Sequence, residues 1–126
     1  MKRLIIGICV LSCLLALGIT VSAVFHIAHT PTAYLLQDAS QAALDGNWED
    51  ALQCSQAAQA RWKRFHHLTA CFADHSPMDE IDSLFAQLEL YSQEQNRADF
   101  PARCAALSQL TKAIADSHSF RWWTFL

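Results

Sequence analysis

Four histidines beyond residue 29, His66, His67, His75 and His118, together with the carboxylates Asp74, Asp79 and Asp82, are side chains able to hold a metal ion or move a proton. Imidazole suits borderline metals and carboxylate suits hard ones, so such a mixture has ligand chemistry to offer. The spacing does not gather it. His66 and His67 face different ways on a helix, and Ala70 and Cys71 stand four residues beyond them. Cys71 and His75 are an i,i+4 pair of ligands, and two ligands do not close a site.

Nucleophilic chemistry has less support. Cys71 and Cys104 meet a histidine only if tertiary packing brings one to them. Ser76 precedes Pro77 and reads as a helix cap, and Gly46 is the only glycine after the apolar block, so no glycine-rich loop exists to cradle phosphate. No catalytic residue, cofactor or metal site is therefore expected. The three outer cysteines, Cys54, Cys71 and Cys104, lack C-x-x-C spacing. They read as small core residues on helices. In an oxidising compartment the alternatives are one disulfide with a thiol left over, or an intermolecular bridge.

The strongest candidates for interaction lie at the C-terminal end. Trp122, Trp123 and Phe125, with Phe120, Leu126 and the neighbouring Arg121, form an aromatic cluster. Three roles fit it: a closing layer of the core, an anchor at the membrane interface where indole meets both apolar and polar surroundings, or an anchor on a partner protein.

The elements that must position these residues are helical. After Thr30-Pro31-Thr32, which interrupts the pattern, a helix is expected over 32–44, ended by Gly46-Asn47 because both residues tolerate the left-handed conformation. Trp48, Ala51, Ser55, Ala58, Trp62, Phe65, Thr69 and Phe72 then recur every three or four residues and predict one buried face of a long second helix. Asp74-His75-Ser76-Pro77 marks a boundary, with Ser76 capping a third helix whose apolar side is Ile81, Leu84, Phe85, Leu88 and Tyr91. Asp99 reads as the cap of a fourth, carrying Cys104, Leu107, Leu110 and Ile114. The expected fold is all-α: an N-terminal transmembrane helix, then a small antiparallel helical bundle of the second, third and fourth helices, with the membrane-proximal helix alongside.

The block over 4–27 has no charged residue besides the weakly basic His26 and is long enough to cross a bilayer. Lys2 and Arg3 precede it, so the positive-inside tendency puts the N-terminus in the cytoplasm and the rest outside. The division expected is an anchor over 1–29 and an extracytoplasmic bundle over 30–126. Two alternatives remain open: a signal peptide cleaved after Ala23, and a lipoprotein-type site at Cys13. Beyond the block stand seven Arg or Lys against twelve Asp or Glu, five net negative charges, which argues against nucleic-acid binding and against an arm that hugs anionic lipid.

Gly46-Asn47-Trp48-Glu49-Asp50-Ala51-Leu52 resembles the turn of a tetratricopeptide repeat, in which Trp48 would close the corner and Ala51 permit close helix contact. No second copy of that turn follows. Across the whole chain, the membrane block, Trp48, Trp62 and the stretch His75-Ser76-Pro77-Met78-Asp79-Glu80-Ile81-Asp82 resemble a family of unknown function found in small membrane-anchored helical proteins of spore-forming, clostridia-like bacteria. That resemblance implies architecture and location but no activity. It departs at the C-terminus, Arg121-Trp122-Trp123-Thr124-Phe125-Leu126. The expected function is a membrane-tethered structural or protein-interaction module, bound to the lipid bilayer through 4–27 and partnered by a second copy or an envelope protein. An extracytoplasmic domain that binds or senses a small ligand or metal is the alternative.

Overall fold

The computed structural model describes residues 1–71 and 75–120, without the side chains of Thr69, His75 and 117–120. These residues form four helices, α1 (Lys2–Leu44), α2 (Trp48–Ala70), α3 (His75–Gln93) and α4 (Phe100–Phe120). They form an up-down-up-down bundle in which α1 packs on α4 and α2, and α3 on α4 and, least closely, on α2. The expected all-α architecture of a long apolar helix leading into a bundle is the one found.

The expected break at Thr30-Pro31-Thr32 is absent: α1 runs unbroken through Pro31 for 43 residues. Proline has no N–H, so the carbonyl of Ile27 four residues earlier loses its helical donor. Arg61 of α2 supplies one, its Nη2 donating to the Ile27 carbonyl at 3.3 Å. A tertiary contact thus repairs the defect that local reasoning treats as a boundary, and α1 becomes the spine of the bundle. Phe25, Ala28, His29, Thr32, Ala33, Leu36, Ala39 and Ser40 are its buried side. The boundary at residues 29 and 30 therefore falls within a single helix.

The hairpin connections α1–α2 and α3–α4 repeat one local design. After α1, Gly46 at φ +84 donates to the Ala43 carbonyl and Asn47 to that of Ala42. After α3, Gln95 at φ 54 donates to Ser92 and Asn96 to Tyr91. Both are left-handed terminations that satisfy the last carbonyls of a helix. Each asparagine then caps the helix that follows: Asn47 Oδ1 accepts the Asp50 N–H and Asn96 Oδ1 the Asp99 N–H. The amide nitrogens of Asn47 and Asn96 donate in turn to the carboxylates of Asp50 and Asp99. The cap before α4 is thus Asn96, and Asp99 is its partner. Asn47 likewise caps α2; only Gly46 of the expected pair is left-handed.

The core follows the helical period. Ala51, Ser55, Ala58 and Trp62 are buried on α2; Met78, Ile81, Phe85 and Leu88 on α3; and Phe100, Cys104, Leu107, Ser108, Thr111, Ile114 and Ala115 on α4. Trp48, Phe65, Leu84, Tyr91 and Leu110 are half-buried at its margins, while the expected core residue Phe72 lies outside the described residues. Trp48 closes the end of the bundle away from the apolar segment, edge-on to Phe100 with ring centroids 4.9 Å apart and with the Arg97 guanidinium over its face.

Candidate functional site

Candidate function begins with what α1 leaves uncovered. None of residues 1–24 is buried, and Leu4, Ile8, Leu11, Leu14, Leu17 and Ile19 are each more than half exposed. This helix is long and apolar enough to cross a membrane. The core starts where that surface stops: Val21 packs against the cluster and Phe25 is 1% exposed within it. The apolar block of 4–27 is therefore divided, with its last residues facing the bundle on one side and exposing Val24 and Ile27 on the other.

The other helices end at the same level. Ser40 Oγ donates to the Pro101 carbonyl at 2.8 Å and Ser108 Oγ to the Ala33 carbonyl at 2.7 Å, which sets the antiparallel register of α1 and α4. Counting along that register, the end of α4 is level with about residue 21 of α1. The ring contact of His29 with Trp62, at 5.2 Å, sets α2 against α1 and brings Ala70 to about residue 20. The bundle thus has a flat lower end from which the apolar stretch of α1 projects.

Just above that end lies the polar constellation that unites the helices. The Trp62 ring is fully buried, its indole Nε1 donating to Asp82 Oδ1 of α3 at 2.6 Å, and His66 Nε2 lies 3.2 Å from Asp82 Oδ2. One carboxylate therefore accepts the Trp62 N–H on one oxygen and stands beside the His66 imidazole with the other. Phe85 at 6.1 Å and His29 at 5.2 Å flank the indole, and Phe25 meets His29 at 5.6 Å. Chemically this set orients and locks; among the described residues no group of three or more His, Cys, Asp or Glu is placed to hold a metal ion.

The expected site residues divide. His66 finds Asp82, a pairing between helices that spacing along one helix does not reveal. His67 is exposed and Asp79 is exposed. Trp122, Trp123 and Phe125 lie outside the described residues, as does Asp74, and nothing is described of the side chains of His75 and His118. All three outer thiols are free: Cys104 is fully buried, Cys54 half-buried, and Cys71 exposed rather than in the core. Burial pushes the Cys104 thiol up to about 12. That of Cys54 is raised by burial and then by the negative charges of Asp38 and Asp50.

Sequence reasoning missed Arg61 and His29. A proline in an otherwise continuous helical pattern was the available signal for Arg61, because its orphan carbonyl calls for a donor elsewhere. Arg61 also stacks on Phe65, 5.0 Å from the ring centroid, and borders an open, mostly apolar groove with His26, Ile27, Thr30, Pro31, Tyr34, Leu35 and Asp38.

The chain belongs to a family defined by a domain of unknown function, DUF4363, whose model matches residues 22–123. That match opens at the level where the core opens. Neither a curated protein nor a solved structure matches the chain.

Proposed function

We propose that this DUF4363 chain is a membrane-tethered structural or protein-interaction module with its N-terminus in the cytoplasm and its bundle outside. The observation that carries this reading is the uncovered apolar surface of 4–20 beside a bundle that is otherwise packed. A contiguous surface of that size on a soluble chain calls for a cover, and lipid is the cover its length and all-round hydrophobicity suit. At 1.5 Å per residue, 4–20 spans about 25 Å, and the exposed Val24 and Ile27 extend the apolar surface toward the roughly 30 Å of a hydrocarbon core. Lys2 and Arg3 favour the stated orientation. Retention of the segment is supported by α1 passing unbroken through Val21-Ser22-Ala23, with Val21 against the core. A filled apolar interior supports a scaffold over a ligand-binding cavity.

Glu49, exposed at the end of the bundle away from the apolar segment, is a site for a reporter thiol as Glu49→Cys. Membranes washed at alkaline pH should retain the chain at the mass of residues 1–126, and a membrane-impermeant maleimide should label Glu49→Cys in intact cells. Release by the wash, or a mass lacking 1–23, would remove the anchor; labelling only after lysis would reverse the orientation. Crosslinking in native membranes should capture a second copy or an envelope protein, and a chain that stays uncrosslinked would leave an anchor without an interaction role.

A further inference from the structure

We infer that the lower outer face between α1 and α2 is a binding site for an anionic phospholipid, an inference that rests on the membrane reading above. Overall charge argues against contact with anionic lipid, but along α2 the charges are segregated. Arg61, Lys63 and Arg64 stand on the half that descends to the lower end and Glu49 and Asp50 at the opposite end, while Asp38 of α1 lines the groove beside Arg61.

The cations are available. Among the described residues neither Lys63 nor Arg64 makes an ion pair, and both are exposed. Arg61 gives one N–H to the Ile27 carbonyl, while its Nε is shielded from solvent with no acceptor among the described residues. A guanidinium has five donors and matches a phosphate with two of them at once.

Apolar surface for the rest of a lipid adjoins them. Arg64, Phe65 and Leu68 follow Arg61 at three, four and seven residues, so they share its face of α2. Leu68 is 62% exposed, and the facing α1 exposes Val24 and Ile27. In the antiparallel register Arg64 stands beside about residue 26 of α1, a few ångströms above the proposed hydrocarbon boundary and within headgroup depth. Among the described residues the acids at this level are Asp79, Glu80 and Asp82 on α3 and Asp116 on α4, helices other than the two that form this face, and Asp82 is engaged by Trp62 and His66. The arrangement thus offers phosphate donors above and an aliphatic wall below, on one face.

The test uses the full chain in nanodiscs of equal parts phosphatidylglycerol and phosphatidylcholine, with retained lipids counted by native mass spectrometry. Phosphatidylglycerol should be enriched on the order of tenfold, the effect expected of two cations near an anionic surface. Arg64→Gln, at an exposed position on this face, should reduce that enrichment, Lys63→Gln, two residues round the helix from Arg61, should reduce it less, and Lys112→Gln on α4 should leave it unchanged. Equal retention of the two lipids by the native chain, or enrichment that Arg64→Gln leaves intact, would overturn the site. Flotation with purely phosphatidylcholine vesicles at alkaline pH separates the two claims. A chain that fails to float removes the membrane reading itself; one that floats yet shows no lipid preference removes only this site.

Discussion

The seam between α1 and α4 and the seam between α2 and α3 join helices of similar type by opposite means. Across α1 and α4 the bonds run from side chain to backbone: Ser40 to the Pro101 carbonyl and Ser108 to the Ala33 carbonyl, both buried. A hydroxyl on one carbon reaches a neighbouring backbone only if the helices come close, and Ala33, Ala39 and Ala115 leave room for that approach. Across α2 and α3 the bonds run between side-chain tips: Gln59 to Glu89 at 3.4 Å, Trp62 and His66 to Asp82. These reach over a wider gap, leaving a polar notch floored by Phe85 and Leu88. Long side chains lose more rotamer freedom when fixed, so bonds at an exposed seam hold less firmly. The α1–α4 seam is the rigid side of this molecule, and the α2–α3 seam depends on one large anchor.

That anchor provides the most severe way to break the contrast. Trp62→Ala should cost about 3 to 5 kcal/mol, because it removes a fully buried ring and leaves Asp82 without its indole donor. Urea melts of the full chain in detergent micelles measure it, and a cost below about 1 kcal/mol would mean that the α2–α3 seam does not rest on this residue. Alkali probes the rigid side through Cys104 on α4. Its thiol is raised from 9.0 to about 12 in the folded chain, so it stays neutral where the unfolded thiol ionises. Its contribution to stability is therefore complete below pH 9 and is lost as pH climbs toward 12. Melts over that range should fall for the native chain and less steeply for Cys104→Ala; equal slopes would place the alkaline loss elsewhere.

Smaller changes sharpen the comparison. Ser108→Ala and Ser40→Ala should each cost about 1 kcal/mol, the net worth of an ordinary hydrogen bond, since both carbonyls keep their places in helices. Gln59→Ala, across the looser seam, should change stability by less than about 0.5 kcal/mol. Equal losses at Ser108 and Gln59 in the same melts would erase the distinction between the seams.

What could be read from the sequence divides along the line between local and tertiary causes. The stripe from Ala51 to Trp62, the α3 side from Ile81 to Leu88, and Cys104 with Leu107 on α4 follow from the helical period alone, and burial bears them out. Pro31 misled because its cost is local while its remedy, Arg61, is 30 residues away in sequence. The cap at Asn96 was hidden because Gln95 takes the left-handed position where Gly46 stands in the other hairpin, and glutamine carries no signal for it. The pairing of His66 with Asp82 depends on how two helices face each other. The tail at Trp122 and Trp123 offered a strong compositional signal and three physical explanations that composition cannot separate.

The unbroken passage of α1 through Pro31 makes the molecule a lever. At 1.5 Å per residue, the arm from Val21 to Leu44 is about 35 Å long. On the proposed membrane reading, a tilt of about 20° in the apolar segment, ordinary for a membrane helix, would swing its far tip sideways by about 12 Å. Anything seated on the corner formed by Trp48 and Phe100 would then be displaced by the thickness of a helix, with no joint along the arm to absorb the motion.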